Sequence, residues 1–98
     1  MRVNWTLQAL RRLRQLHDYI ARDQPLNATR FIDRVTRRVD QLAAQPYSGG
    51  RVAKYARDDV RQIFEGDYRI VYLILPERID IVAVRHTARL MPARMRDL

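Results

Sequence analysis

The chain has 98 residues, no cysteine and a formal charge of +8, and its length predicts a single domain over residues 1–98. The absence of cysteine excludes disulfides, thiolate nucleophiles and cysteine-based zinc sites. No apolar run approaches the roughly 20 residues that span a bilayer, so we expect a cytoplasmic protein that does not associate with a membrane.

Arginine dominates the positive charge. All but one of the 19 basic residues are arginine, the exception being Lys54. The planar guanidinium group suits phosphate and carboxylate partners and stays charged at physiological pH. A GC-rich genome would explain the ratio of arginine to lysine but not the net charge. We therefore expect an acidic macromolecular partner, either a nucleic acid or a protein.

The first half of the chain has helical periodicity. After a short extended start, Thr6 is a natural N-cap. Apolar side chains then follow at steps of three or four, namely Leu7, Leu10, Leu13, His17 and Ile20, while Arg11, Arg12 and Arg14 occupy the opposite face. Pro25 suits the first turn of a second helix, whose apolar stripe is Ala28, Phe31, Ile32, Val35, Val39, Leu42 and Ala43. The short break between them predicts a helical hairpin.

The second half has the pattern of strands. Residues 60–64, 68–75 and 79–86 are rich in β-branched and aromatic side chains, and short turn segments separate them. The tail, residues 88–98, is expected to be a short helix or frayed. Because helices and strands occupy different parts of the chain, the predicted fold class is α+β, with an N-terminal helical hairpin packed on an antiparallel β-sheet.

No phosphate-binding loop or metal-binding motif occurs, so we expect neither a cofactor nor a metal. The candidate site lies at strand ends, where Arg61, Arg69, Arg85 and His86 stand. Depending on the strand register, the arginines converge to hold a phosphate, with His86 as a proton carrier. The alternative is a solvated sheet edge whose charges prevent aggregation.

Several segments together carry a family resemblance. They occur in order along nearly the whole chain: Trp5-Thr6, Tyr19-Ile20-Ala21, Ala28-x-x-Phe31-Ile32-Asp33, Leu42-x-x-x-Pro46, Tyr68-Arg69-Ile70-Val71-Tyr72 and Val84-Arg85-His86-x-x-Arg89. In this combination the chain resembles the RelE/ParE toxins of bacterial type II toxin–antitoxin systems. The resemblance implies a helical hairpin on an antiparallel sheet, in agreement with the periodicity.

The family contains two activities. RelE-type members cleave mRNA in the ribosomal A site, whereas ParE-type members poison DNA gyrase. Arg69 matches a basic residue of the nuclease type and Arg61 could replace another, but Ile63 stands where a further basic residue is expected and no tyrosine follows Tyr72. The ending Arg85-His86-x-x-Arg89-x-x-Pro92 resembles ParE members.

The resemblance therefore implies a ParE-like toxin that inhibits gyrase by binding, without covalent chemistry. The target-binding residues would be Arg61, Arg69, Arg85, His86 and Arg89. One alternative is a ribosome-dependent mRNA endonuclease, with Arg61 and Arg69 on the scissile phosphate and His86 moving a proton. Another is an inactive relative that binds only its antitoxin. In each case the implied partner is a cognate antitoxin in a hetero-oligomeric complex, with a partly disordered segment that wraps the hairpin and sheet.

Overall fold

The computed structural model describes residues 1–98, and in it a helical hairpin covers one face of a five-stranded sheet. Helix α1 (Leu7–Ala21) begins after Thr6, whose Oγ1 accepts a hydrogen bond from the N–H of Ala9 at 3.2 Å. Helix α2 (Pro25–Gln41) has the predicted proline in its first turn. The predicted hairpin and the α+β fold class are thus confirmed.

The buried face of α1 differs from the predicted one. Ala9, Leu13 and Leu16 are buried, whereas Leu7 and Leu10 are 63% and 46% exposed. The helix follows directly on a strand, and the N–H of Thr6 donates to the carbonyl of Ile81 at 3.1 Å. This short tether sets the direction of the first turn, so tertiary attachment decides which apolar residues face the core.

The three predicted strands form an antiparallel meander. They are β3 (Val60–Glu65), β4 (Tyr68–Ile74) and β5 (Arg78–His86), each within about one residue of its predicted bounds. A two-residue strand, β2 (Gly50–Arg51), adds antiparallel to β3. With the first strand, β1 (Arg2–Trp5), the sheet order is β1-β5-β4-β3-β2.

The first strand corrects the expectation of a wholly antiparallel sheet. β1 (Arg2–Trp5), expected only as an extended start, runs parallel to the first half of β5, from Arg2 opposite Arg78 to Trp5 opposite Ile81. A parallel pair requires a long crossover between its strands, which the helical hairpin and the β3–β4 hairpin supply. The sheet is therefore mixed.

A β-bulge in β5 changes which face its side chains occupy. Tyr72 pairs with Ile81 but Val71 pairs with Ala83, so Val82 is an extra residue. Before the bulge Ile79 and Ile81 pack on the helices. After it the parity reverses, because one inserted residue shifts the two-residue alternation.

The C-terminal tail was expected to be a short helix or frayed. Instead it packs on the sheet face opposite the helices. Met91 and Leu98 are each 8% exposed and pack in a second core cluster with Val60, Val71 and Ala83. Its only helical element is a single 3₁₀ turn, Met95–Asp97. Polar contacts hold the tail in place, since Lys54 Nζ donates to the carbonyl of Met91 at 2.6 Å.

No helix in the structure combines the length and the hydropathy that crossing a bilayer requires.

Candidate target-binding surface

Arg69 and Arg85 are cross-strand neighbours on β4 and β5. By the alternation along β4, Arg69 lies on the sheet face opposite the buried Ile70 and Tyr72, which pack against the helices. The bulge brings Arg85 to the same face. Of the arginines that the sequence suggested would converge, the structure brings these two together.

Each guanidinium group of this pair is held by backbone rather than by an acid. Arg69 Nη2 donates to the carbonyl of Thr87 at 2.9 Å, and its guanidinium lies 6.0 Å from the ring centroid of Phe64. Its Nε is buried and has no hydrogen-bond partner in the protein. Arg85 Nε donates to the carbonyl of Leu90 at 3.3 Å. These contacts orient the positive charges without neutralising them.

Two further arginines, Arg12 and Arg89, lie near this pair and line one groove with Arg85. Burial lowers the pKa of Arg85, and the charges of Arg89, Arg12 and Arg69 lower it further, against an opposing effect of Tyr55. None of these four arginines has a carboxylate within 4.0 Å, whereas six others form ion pairs, namely Arg34, Arg38, Arg57, Arg61, Arg78 and Arg94. We call Arg12, Arg69, Arg85 and Arg89 the arginine cluster.

Arg61 lies apart from this cluster. It pairs with Tyr72, three residues along β4 from Arg69, which corresponds to about 10 Å and to the opposite face of the sheet. Its side chain is 15% exposed, and Nη2 lies 2.6 Å from the carboxylate of Asp58. It also donates to the carbonyl of Gly49 at 3.1 Å. In the folded chain Arg61 therefore ties two loops together.

His86 lies on the helix side of the sheet. Its ring makes an edge contact with Tyr68 at a centroid distance of 5.2 Å, and Tyr68 in turn contacts Phe31 of α2. The Nδ1 of His86 accepts a hydrogen bond from the N–H of Ala88 at 3.0 Å. The neutral ring therefore carries its proton on Nε2. Arg85 and His86 are adjacent in sequence but point to opposite faces of the sheet.

The sequence did not indicate that two residues, Arg12 and Tyr55, lie near Arg85. Arg12 belongs to the exposed face of α1 by periodicity, and only the packing of α1 beside β5 brings it towards Arg85. Tyr55 ends a short 3₁₀ turn, Ala53–Tyr55, which no periodicity in the sequence indicates. Burial raises the pKa of its hydroxyl, although Arg85 opposes the shift, and the hydroxyl donates to the carbonyl of Pro92 at 2.9 Å. No signal in the sequence pairs either residue with Arg85.

The geometry supports recognition of anions. Four guanidinium groups without acidic partners lie beside a strand end, and exposed Phe64 flanks Arg69. Guanidinium groups bind carboxylates and phosphates through paired hydrogen bonds. A general base is not among the cluster, because arginine remains protonated.

Comparison with known proteins places this architecture in a family. Residues 3–91 match the family described as ParE toxin of type II toxin-antitoxin system, parDE. The chain is 39% identical over 93 residues to Y4kP of Sinorhizobium fredii, named as a candidate toxin, covering 93% of each chain. It is 34% identical over 88 residues to Toxin RelE2 of Caulobacter vibrioides, covering 90% of this chain and 97% of the relative.

A solved structure has the same fold. A chain of the chromosomal ParDE toxin–antitoxin system from P. aeruginosa superposes with a TM-score of 0.74 over 88% of this chain and 95% of the other, at 18% identity. The family match over most of the sequence confirms the resemblance that the sequence motifs indicated. The chain belongs to the ParE/RelE family of type II toxin–antitoxin toxins, whose members have a cognate antitoxin as partner.

Proposed function

We propose that this chain is a ParE-like toxin that inhibits DNA gyrase by binding it, and that its antitoxin neutralises it. The observation that carries the proposal is the arginine cluster, in which Arg69 and Arg85 are cross-strand neighbours and Arg12 of α1 and Arg89 line one groove with Arg85, without acidic partners. Such a surface favours association with an acidic region of a target and speeds the encounter.

The arrangement of the other predicted residues favours binding over covalent chemistry. A nuclease site built from Arg61, Arg69 and His86 needs all three side chains around one phosphate. Arg61 is paired with Asp58, Arg69 lies on the opposite face, and His86 packs against Tyr68. General acid–base catalysis requires hydrogen-bond reach to the reacting group, which these positions do not provide together.

One observation favours ribosome-dependent mRNA cleavage as the second candidate. Phe64 is 48% exposed beside Arg69, and exposed aromatic rings flanked by arginine are typical of surfaces on which bases stack. A relative is also named Toxin RelE2. This function would need a proton carrier other than His86 at the cluster. Tyr55 is a candidate, because its hydroxyl group and the guanidinium of Arg85 influence each other's pKa.

A gyrase supercoiling assay with the purified chain tests the proposal. We expect inhibition by the native chain and at least tenfold weaker inhibition by Arg69→Ala/Arg85→Ala. Arg30→Ala/Arg37→Ala is the matched control, because it removes the same charge from the exposed face of α2, where neither residue has an ion pair. If both variants lost inhibition equally, the effect would be due to net charge and not to the arginine cluster.

A parallel assay on translating ribosomes separates the second candidate. Cleavage of mRNA at stalled A sites, together with unaffected supercoiling at stoichiometric excess, would replace gyrase with the ribosome as target. Normal growth after induction without antitoxin would instead support a relative that has kept only antitoxin binding.

A further inference from the structure

The two backbone carbonyls that orient Arg69 and Arg85 belong to one short segment, residues 87–90. Arg69 Nη2 donates to the carbonyl of Thr87 at 2.9 Å, and Arg85 Nε donates to the carbonyl of Leu90 at 3.3 Å. The bond to Thr87 is the only hydrogen bond of the Arg69 guanidinium, whose buried Nε has no partner in the protein. Arg89 belongs to the same segment. The direction in which the arginine cluster presents its charges therefore depends on the conformation of residues 87–90.

The side chain of His86 caps the turn that begins this segment. Its Nδ1 accepts a hydrogen bond from the N–H of Ala88 at 3.0 Å, and its carbonyl accepts one from the N–H of Arg89 at 3.0 Å. The pattern resembles an Asx turn, in which a side-chain acceptor binds the N–H two residues further on. The N–H of Thr87 donates instead to the carbonyl of Asp67 at 2.8 Å. Ala88 thus has the one N–H of residues 87–89 whose partner is a titratable side chain.

Cross-strand packing fixes the orientation of the His86 ring. Tyr68 lies opposite His86 on β4, and the two rings meet edge to face. Tyr68 also makes an edge contact with Phe31 of α2, at a centroid distance of 5.3 Å. Both nitrogens of a protonated imidazole are donors, so a ring held in this orientation would turn an N–H towards the N–H of Ala88. Protonation therefore breaks the hydrogen bond that caps the turn.

Charged and titratable groups of both signs surround the turn at His86. They are Arg12, Asp18, Tyr19 and Arg22 of α1, Tyr68 of β4, Asp67 of the β3–β4 turn, and Arg85 and Arg89 of its own segment. The carboxylate of Asp18 lies 3.0 Å from Nδ1 of His17, and no carboxylate lies within 4.0 Å of the His86 ring. No ion pair is therefore in place to compensate the hydrogen bond that protonation breaks.

We infer that His86 is a positioning residue of the arginine cluster, whose neutral ring holds residues 87–90 in the conformation that orients Arg69 and Arg85. Protonation removes the acceptor for Ala88, loosens the turn and releases both carbonyls. The inference rests on the proposed function, since it makes target binding by the cluster strongest when His86 is neutral. The role differs from proton transfer, because the ring lies on the opposite face of the sheet and acts only through the backbone.

Nitrogen-15 NMR of the native chain between about pH 8 and about pH 5.5, the range in which histidine changes charge, tests the inference without a target. We expect the amide of Ala88 and the Nε–H of Arg69 to shift with the same midpoint as the His86 ring nitrogens. A ring that titrates while both groups stay unchanged would overturn the inference. So would a ring that carries its proton on Nδ1 at about pH 8, or one that does not titrate in this range.

Two substitutions separate the acceptor from the imidazole ring. Asparagine forms Asx turns with Oδ1 as the acceptor and does not titrate, so His86→Asn should keep its inhibition of supercoiling within about twofold between about pH 8 and pH 6. The native chain should lose about fivefold or more over the same range, relative to gyrase alone at each pH. His86→Gln carries its amide one carbon further out and should inhibit about fivefold more weakly than His86→Asn at about pH 8.

His17 provides the matched control, because it is the only other histidine in the chain. His17→Asn should respond to pH as the native chain does. Equal pH responses of the native chain and His86→Asn would overturn the inference, and so would equal inhibition by folded His86→Asn and His86→Gln. If the native chain does not inhibit gyrase at any pH, the proposed function fails. The NMR titration still decides in that case whether His86 positions the cluster.

Discussion

Arg69 and Arg85 lie directly opposite each other on neighbouring strands, with no carboxylate within 4.0 Å of either. Directly opposed like charges destabilise a sheet. A folded chain that keeps such a pair loses stability there, and a partner that supplies negative charge would recover it. This relationship connects the stability of the free chain to the proposed binding surface.

The first prediction concerns salt. Added salt screens repulsion between exposed charges, so the melting temperature of the free chain should rise between about 0.01 and 0.3 M NaCl. In Arg85→Gln/Arg89→Gln this rise should be smaller by about 2 to 4 °C. That is the shift in melting temperature that corresponds to the repulsion between two like charges on neighbouring strands. Thermal unfolding followed by circular dichroism measures it. Arg30→Gln/Arg37→Gln has the same net charge and should retain the native salt response; a reduced response there would contradict the explanation.

The second prediction concerns Tyr72. This fully buried side chain donates to the carbonyl of Pro46 at 2.7 Å and accepts from the N–H of Gly49 at 3.0 Å. Tyr72→Phe should cost about 1 to 3 kcal/mol in the free energy of unfolding, because the buried N–H of Gly49 loses its partner. Urea denaturation at pH 7 measures the difference.

The same residue has a signature at alkaline pH. Burial raises the pKa of Tyr72 above its usual 10.0, so the native chain keeps a proton that the unfolded chain releases. Its contribution is fully present below pH 10 and is lost as the pH rises through the folded value. The native chain should therefore lose more stability above pH 10 than Tyr72→Phe does; parallel curves would contradict this assignment.

The third prediction compares two adjacent glycines. A Cβ on Gly49 would lie 2.5 Å from the Tyr72 hydroxyl and 2.7 Å from the carbonyl of Gln62, while a Cβ on Gly50 would meet nothing within 4 Å. Gly49→Ala should destabilise the chain by about 1 to 3 kcal/mol through forced displacement of packed groups. Gly50→Ala should be within about 0.5 kcal/mol of the native chain. Similar unfolding midpoints for the two variants would refute the close-packing argument.

The fourth prediction concerns Asp80, which joins β1 to β5. Its Oδ1 accepts hydrogen bonds from Arg78 Nε at 2.8 Å and from Asn4 Nδ2 at 3.0 Å. The hydrogen bond from Arg78, and then that from Asn4, lower the pKa of Asp80 below its usual 3.8. The stabilisation is therefore present above about pH 4 and is lost as the pH falls through the folded value.

Asp80→Asn should remove this acid-dependent term. At pH 7 we expect a loss of about 0.5 kcal/mol, the size of a solvent-screened ion pair. Unfolding measured from pH 7 to pH 2.5 should show a shallower decline for the variant. A decline as steep as in the native chain would assign the acid sensitivity to other carboxylates.

The fifth prediction concerns the tail. Met91 is buried against the sheet, whereas its neighbour Leu90 is 86% exposed. Met91→Ala should cost about 2 kcal/mol or more by leaving a cavity in the second core cluster, while Leu90→Ala should change stability by less than about 0.5 kcal/mol. Chemical denaturation of both variants checks this. Equal stability of the two would mean that the tail does not cover the sheet in solution.

Local patterns predict much of this molecule. The 3.6-residue period with Thr6 and Pro25 locates both helices, the β-branched runs locate β3, β4 and β5, and ordered motifs identify the family. These features depend on neighbours within a few residues, and so they can be read from the chain alone. The buried stripe of α1 shows the limit, since an attachment between Thr6 and Ile81 turns Leu7 and Leu10 outwards.

By itself, then, the sequence determined the two helices, three of the five strands, the α+β class and the positive charge. Only the tertiary structure decided which charges meet. One extra residue, Val82, reverses the side-chain parity of β5, and it thereby places Arg85 beside Arg69 and turns His86 towards the helices. The register of β3 separates Arg61 from Arg69, and helix packing adds Arg12. A single-residue shift moves a side chain to the other face of a sheet, so strand ends that look equivalent in sequence have different roles in the fold.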